Sequence, residues 1–368
     1  MRALVIGAGV IGASVAYRLA RGGADVTVVD RGAPGGGTSA ASFAWTNANN
    51  KTPRAYHELN VEGMRAHAAL RAEFGAAPWW HGGGNVLWAA GDDGRARVSQ
   101  RIERLRAWDY AALELAPARL HELEPDIPVD AIRDAVIAHF PDEGWIDTTV
   151  YVHALLEAAR GLGARVHPGT TVRELRRTGN RVAGVQTDPG ATYEADVVVN
   201  CAGRWADAVA GPAALPVPLA PNRSVLAITP PALTRLARVV HAPDCQLRPD
   251  GGGRVMVQAD DIDAAVTAAA ADEPPADLAD ELVRRAARLL PGLAGVGHEH
   301  ARLGIRAMPA DGHSVVGPHA GVSGYYVVVT HSGVTLAPFL GIVAANEMLG
   351  GRPDPRLAPF RPDRFARA

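Results

Sequence analysis

Residues 2–30, "RALVIGAGVIGASVAYRLARGGADVTVVD", open on a short apolar run and a glycine turn. An apolar stripe at helical spacing follows, then Gly22–Gly23 and a second apolar run ending in Asp30. That order predicts strand, turn, helix and strand. Helical spacing resumes over 59–76, a strand signal follows at "NVLWAA", two charged helices are expected within 99–124, and a strand at "DAVIAHF". Beyond it the pattern predicts a helix with Asp147 as N-cap and Gly163 as its stop, then a strand and several short strands divided by turn residues. "ADVVVNCAG" is uniformly apolar, as in a central parallel strand buried on both faces. Over 218–302 the character changes to Pro-rich turns, with strands at "SVLAIT" and "GRVMVQ" and a hairpin turn at "PDGGG". The Ala-rich "DAAVTAAAADEPPADLAD" reads as a surface loop entering a helix at "ADLADELVRRAARLL". Finally "HSGVTLAP", residues 331–338, separates the run "YYVVV" from an Ala-rich stretch ending in "EMLGG".

The chain thus crosses twice between a doubly wound α/β nucleotide domain, expected over 1–82, 144–217 and 303–368, and a strand-rich substrate domain over 83–143 and 218–302. Clefts between such units are where cofactor and substrate usually meet.

The glycine turn carries the first chemistry. Gly7 permits the tight turn, Gly9 lets backbone approach a pyrophosphate, and Gly12 lets the helix pack close to the strand. Phosphate belongs at the helix N-terminus, where unpaired N–H groups and the dipole favour negative charge. Asp30 lies 18 residues beyond Gly12, where a carboxylate accepts ribose hydroxyls and repels a 2′-phosphate. NAD and FAD share this adenosine half, so both stay open at this point. The Gly-rich loop after Asp30 ends in Thr38 and Ser39, whose hydroxyls and N–H groups suit a second phosphate or a sugar chain.

Composition narrows the class. Lys and Arg total 37 against 39 acids, a net charge of −2, which disfavours nucleic acid as a partner. Cys201 and Cys245 are the only cysteines and lack any paired spacing, which argues against a disulfide framework or zinc site; no metal is expected. The first strand is expected to start at Arg2, which leaves no room for a charged leader with an apolar core, and no apolar run reaches about 18 residues. A cytoplasmic protein without an integral membrane segment is expected.

"VIGAGVIGASVAYRLA" with Asp30, "GGGTSAAS", "PDEGWIDT", "VVVNCAGRWA", "LGIRAMPADGHSVVGP" and "HSGVTLAP" stand in this order across nearly the whole chain. Together they resemble the D-amino-acid oxidase, glycine oxidase and sarcosine oxidase family of FAD-dependent oxidoreductases. The resemblance implies a Rossmann-like FAD-binding domain with a second, discontinuous α+β substrate domain on a mainly antiparallel sheet. It also implies noncovalent FAD, since no cysteine stands in the C-terminal third where some sarcosine oxidases attach flavin. The implied cofactor residues are Gly7, Gly9, Val10, Ile11, Gly12, Asp30, Arg31, Thr38, Ser39, Phe43, Ala44, Trp45, Val172, Cys201, Ala202, Gly203, Arg306, Ser332, Gly333, Val334 and Thr335. Ser332 and Gly333 then break the apolar run so that backbone N–H groups and the last helix's positive end meet the flavin N1 and C2 oxygen, where charge collects on reduction.

Arg306 in "LGIRAMP" matches the family arginine that binds a substrate carboxylate, a role suited to a planar guanidinium; Ala307 stands where the family often has proline. His331 is a candidate contact to flavin or carboxylate, and Arg306 and His331 are the candidate catalytic residues. Gln246 stands where an aromatic hydroxyl is frequent, which implies a changed pocket. Asp261, with Asp260 beside it, is a candidate for the substrate amine, although a solvated turn is the commoner fate of such a pair. Trp45 and Trp79 are candidates for the cavity wall against a default of core packing.

The expected reaction is oxidation of the C–N bond of an amino acid or N-alkyl amino acid. Hydride passes to flavin N5, the imine hydrolyses, and O2 or another electron acceptor reoxidises the flavin. Oxidation of a 2-hydroxy acid, a NAD-dependent dehydrogenase, and a flavin-bearing subunit of a larger dehydrogenase complex are the competing expectations. Substrate identity, stereochemistry and oligomeric state stay open.

Overall fold

The structure, a computed structural model, describes residues 1–211, 215 and 217–365. Positions 212–214 and 216, beside the expected domain boundary at 217, and 366–368 lie outside the described residues.

The opening pattern folds as expected: strand Arg2–Ile6, helix Val10–Arg21, strand Asp25–Val29. A six-stranded sheet runs Val315–Pro318, Tyr325–Val329, Val197–Asn200, Arg2–Ile6, Asp25–Val29, Arg165–His167. All its pairings are parallel except the edge pair Val315–Pro318 with Tyr325–Val329. The side-chain period of two explains how both faces are covered. Ala3 and Val5 join a core built with helices Val10–Arg21, Thr148–Gly161 and Gly333–Met348. Leu4 and Ile6 face a second core under the three-stranded sheet Thr171–Thr178, Arg181–Asp188, Thr192–Glu194. Val197–Asn200 is buried throughout, as its unbroken apolar run requires.

Two glycines set the spacing at the site. Gly7 has φ +100, and a Cβ there would meet the Cys201 carbonyl oxygen at 2.5 Å. Gly341 lets the last helix lie on the first, since a Cβ there would stand 2.8 Å from the Ser14 carbonyl oxygen. The two helices are therefore held side by side with their N-termini together.

The second body is an eight-stranded sheet in the order His300–Ile305, Arg223–Ile228, Val255–Gln258, Gln246–Pro249, Val239–His241, Asn85–Trp88, Ile137–Phe140, Leu113–Leu115. It is mainly antiparallel, the exception being Val239–His241 with Asn85–Trp88. The "PDGGG" hairpin forms, and the strand it joins to Val255–Gln258 is Gln246–Pro249. The strand Arg223–Ile228 also pairs with Val255–Gln258, on its other edge.

One expectation is corrected. The Ala-rich stretch begins not as a loop but as the helix Asp260–Ala268, with Asp260, Asp261 and Asp263 in its first turn. Alanine is the best helix former, and acids at a helix start complement the dipole; together they outweigh the stretch's loop-like composition. Among the described residues no helix is long and apolar enough to cross a membrane.

Candidate active site

A cavity of about 1070 Å³ lies between the two bodies. That exceeds the ~300–1,000 Å³ usual for one small ligand, so it has room for an extended cofactor and a substrate.

At one end the helix Val10–Arg21 begins at Gly9 with no side-chain cap and no acid in its first turn. Ser39 Oγ accepts the Val10 N–H at 3.1 Å, and Thr38 Oγ1 donates to the Ile305 carbonyl at 2.6 Å. Both hydroxyls thus shape the loop, and the loop is tied to the second body. Asp30 accepts from Ala8 N at 2.7 Å and Gly32 N at 2.8 Å, one bond per carboxylate oxygen, which leaves a lone pair on each. Arg31 stacks on the Trp205 ring at 3.7 Å, and both line the same end of the cavity.

At the other end the helix Gly333–Met348 starts after Ser332, again with no side-chain cap bond and no first-turn acid. A Cβ on Gly333 would stand 3.8 Å from Val10 and 3.9 Å from Ile11. The two helix starts, more than 300 residues apart in sequence, therefore open on one space. Thr335 Oγ1 accepts the Asn47 N–H at 3.1 Å and Tyr56 OH donates to Ser332 Oγ at 2.9 Å, which fixes the turn.

Of the expected residues, Gly7, Gly9, Val10, Ile11, Asp30, Arg31, Thr38, Ser39, Phe43, Ala44, Trp45, Val172, Cys201, Ala202, Gly203, Gln246, Arg306, His331, Ser332, Gly333, Val334 and Thr335 line the cavity. Gly12 does not; a Cβ there would overlap the Gly7 carbonyl, so its part is close helix packing. Asp261 is a second exception. Its carboxylate takes two 2.8 Å bonds from Arg285 outside this cavity, because a helix turns its side chains about 100° per residue and carries Asp261 away from Asp260, which does line it. Trp79 is core, 1 % exposed and packed edge-on to Tyr151 and Phe74.

Arg306 donates from Nη2 to Asp263 Oδ2 at 2.6 Å and from Nη1 to Asn222 Oδ1 at 3.1 Å. Two of five N–H donors are thus engaged and the guanidinium plane is held while it faces the cavity. Burial raises the Asp263 carboxyl, and Arg306 opposes that shift. His331 is pushed down to about 3 by burial and then by the charges of Lys51 and Arg306, so its imidazole is neutral. His241 is likewise held at about 3 by burial and Arg101.

Several cavity residues escape sequence reasoning. Lys51 is 9 % exposed, and burial lowers its ammonium to about 8 against the opposing pull of Glu143, with Arg306 lowering it further. Glu143, from "PDEGWIDT", is buried and accepts from Trp45 Nε1, Ala48 N, Asn49 N and Nδ2, and Tyr110 OH at 2.6–3.2 Å. It thereby sets the loop that carries Lys51. Gly94, Arg97, Val98 and Arg101 line the cavity from one helix, Gly91–Arg106. Their i, i+3, i+4, i+7 spacing is the signal that marks one face.

The profile of the family described as FAD dependent oxidoreductase matches residues 2–347. The chain belongs to this family. Its relatives include the Uncharacterized oxidoreductase YurR of Bacillus subtilis, 26 % identical over 98 % of both chains, and a glycine oxidase of Pseudomonas aeruginosa, 28 % identical over 98 % of both. The crystal structure of glycine oxidase from Geobacillus kaustophilus superposes with a TM-score of 0.85 over 98 % of both chains at 22 % identity, a likeness of fold.

The protein is accordingly an FAD-dependent oxidoreductase, and its cavity fits that cofactor. Any side chain at Gly7 would strike the strand behind it, and one at Gly9 would come within 3.0 Å of Ser39 Oγ. Both glycines therefore present bare backbone to the cavity they line. Two helix starts without first-turn acids open on one cavity, which suits a pyrophosphate at Gly9–Ile11 and an electron-rich ring edge at Ser332–Thr335.

Proposed function

We propose that this flavoenzyme oxidises the C–N bond of an amino acid or N-alkyl amino acid to an imine, which water then hydrolyses. The observation that carries this function is Arg306, a guanidinium held in plane by Asp263 and Asn222 at the cavity wall beside the neutral His331. Its remaining N–H groups suit a substrate carboxylate. Relatives named glycine oxidase support a substrate of this class.

FAD would be held at Gly7–Ile11, Asp30, Ala202–Gly203 and Ser332–Thr335 and would supply the hydride acceptor. The chain supplies position and electrostatics. Arg306 fixes the carboxylate and so the direction of the Cα–H bond. His331, titrating near 3, is too weak a base to take an ammonium proton at neutral pH; it orients the substrate, and the amine proton leaves to water. The last helix's N-terminus stabilises negative charge that develops at its end of the cavity. Cys201 is buried and its thiol is raised by burial, which keeps it a neutral wall residue and not an attachment point.

The test is anaerobic mixing of the purified holoenzyme with D-, L- and N-methyl amino acids and with the matching 2-hydroxy acids. Loss of the flavin band with an amino acid, with ammonia or alkylamine released, is expected. Bleaching by hydroxy acids alone would overturn the proposal.

A further inference from the structure

The geometry points to a substrate with a second acidic group, held by Arg101 and Lys51 while Arg306 holds the first; this rests on the amine-oxidation function proposed above. Arg306 already has its counter-ion, Asp263. Lys51 and Arg101 face the same cavity without one. Among the described residues neither forms an ion pair, and Arg101 has a single long bond, Nη1 to Asn49 Oδ1 at 3.3 Å. Buried and half-buried cations are costly unless paired and hydrogen-bonded, so two such cations lining one cavity imply an anion that arrives with the ligand.

The charge count gives the class. Lys51, Arg101 and Arg306 line the cavity, with Arg104 adding its charge beside Arg101, against Asp263 and the buried Glu143, which attracts both Lys51 and Arg101 without pairing with either. At the solvent-exposed rim Arg97 and Asp260 offset each other. A positive excess is left over. A zwitterionic amino acid with an uncharged side chain arrives neutral, and once its amine has lost its proton it still offers only the one carboxylate that Arg306 takes. One carrying an additional carboxylate has a net charge of −1 and meets that excess. His241 and Gln246, lining the same cavity, add neutral hydrogen-bonding groups.

Binding tests this apart from turnover. The holoenzyme is titrated with succinate and glutarate, and with butyrate and succinamate as singly charged controls, following the flavin spectrum or calorimetric heat. The dicarboxylates are expected to bind at least tenfold tighter than the controls. In Arg101→Met that ratio should fall towards one, and Arg101→Lys should retain part of it; Lys51→Met serves as a second variant if Arg101→Met fails to fold. Ratios near one in the unaltered protein would overturn the proposal, as would a ratio unchanged in Arg101→Met and Lys51→Met. If dicarboxylates bind as expected but no amino acid bleaches the flavin, the acidic subsite stands and amine oxidation falls. If neutral amino acids bleach as well as their dicarboxylic counterparts, with no difference in binding, amine oxidation stands and the acidic subsite falls.

Discussion

Arg306 and Asp263 form a 2.6 Å ion pair at the cavity wall, with side chains 26 % and 8 % exposed. The pair holds the guanidinium in place, yet the Asp263 charge opposes any carboxylate that approaches it, by on the order of 1 kcal/mol at this range. Asp263→Asn should therefore tighten binding of a simple monocarboxylate about fivefold while lowering thermal stability. Titration of the flavin spectrum with butyrate and a melting curve check both effects. Weaker butyrate binding would show that orientation by Asp263 matters more than its charge.

Lys51 gives the site a pH dependence. Burial first, and Arg306 after it, bring its folded value to about 8 against an ordinary 10.5. It is charged at pH 7 and neutral above about 8, so carboxylate affinity should fall as pH rises through that value. Lys51→Arg, charged throughout, should lack the inflection. Stability moves the other way: between about 8 and 10.5 the unfolded chain binds the extra proton, so unfolding free energy attributable to Lys51 rises with pH. Affinity that is flat from pH 7 to 9 would contradict this role; Glu143, Arg306 and His331 are the charged or titratable groups coupled to Lys51.

A side chain at Gly333 is predicted to disturb the proposed cofactor contact more than the fold. A Cβ there meets Val10 and Ile11 at ordinary contact distances of 3.8–3.9 Å, and its φ is unexceptional. Gly333→Val should leave the melting point of the apoprotein nearly unchanged and weaken FAD binding at least tenfold, measured by reconstitution of the apoprotein. Full FAD occupancy at unchanged affinity would count against a cofactor edge at this helix start.

Glu143 accepts only, from five donor groups at 2.6–3.2 Å. Glu143→Gln places an amide N–H₂ among them and strands at least one donor, at about 1–3 kcal/mol. The variant should melt at a lower temperature and lose the pH inflection of Lys51, whose loop it holds. Thermal unfolding and the pH series report the two effects separately.

The glycine turn, Asp30 and the start of the last helix are legible in sequence because each is a break in a strong pattern: Gly7 and Gly9 between two apolar runs, Ser332–Gly333 between another two. Lys51 is not, because "NANNK" has no period and its burial depends on Glu143, 92 residues away in sequence. Arg101 reads as one charge on a solvated helix until the sheet places that face over the cavity. The acids at 260, 261 and 263 show the limit most plainly. Within one helical turn Asp260 reaches the cavity, Asp261 pairs with Arg285, and Asp263 pairs with Arg306. Without the helix start at Asp260 their directions cannot be separated.

The central claim is that Arg306 binds the substrate carboxylate, and it is tested most directly by comparing an amino acid that bleaches the flavin with its decarboxylated amine, in the unaltered enzyme and in Arg306→Met. Under anaerobic conditions the unaltered enzyme should be reduced by the amino acid with an apparent second-order rate constant at least a hundredfold above that for the amine, about 2.7 kcal/mol of preference, and Arg306→Met should abolish most of that preference. Retention of the full preference in Arg306→Met, with FAD bound and the fold intact, would contradict the account.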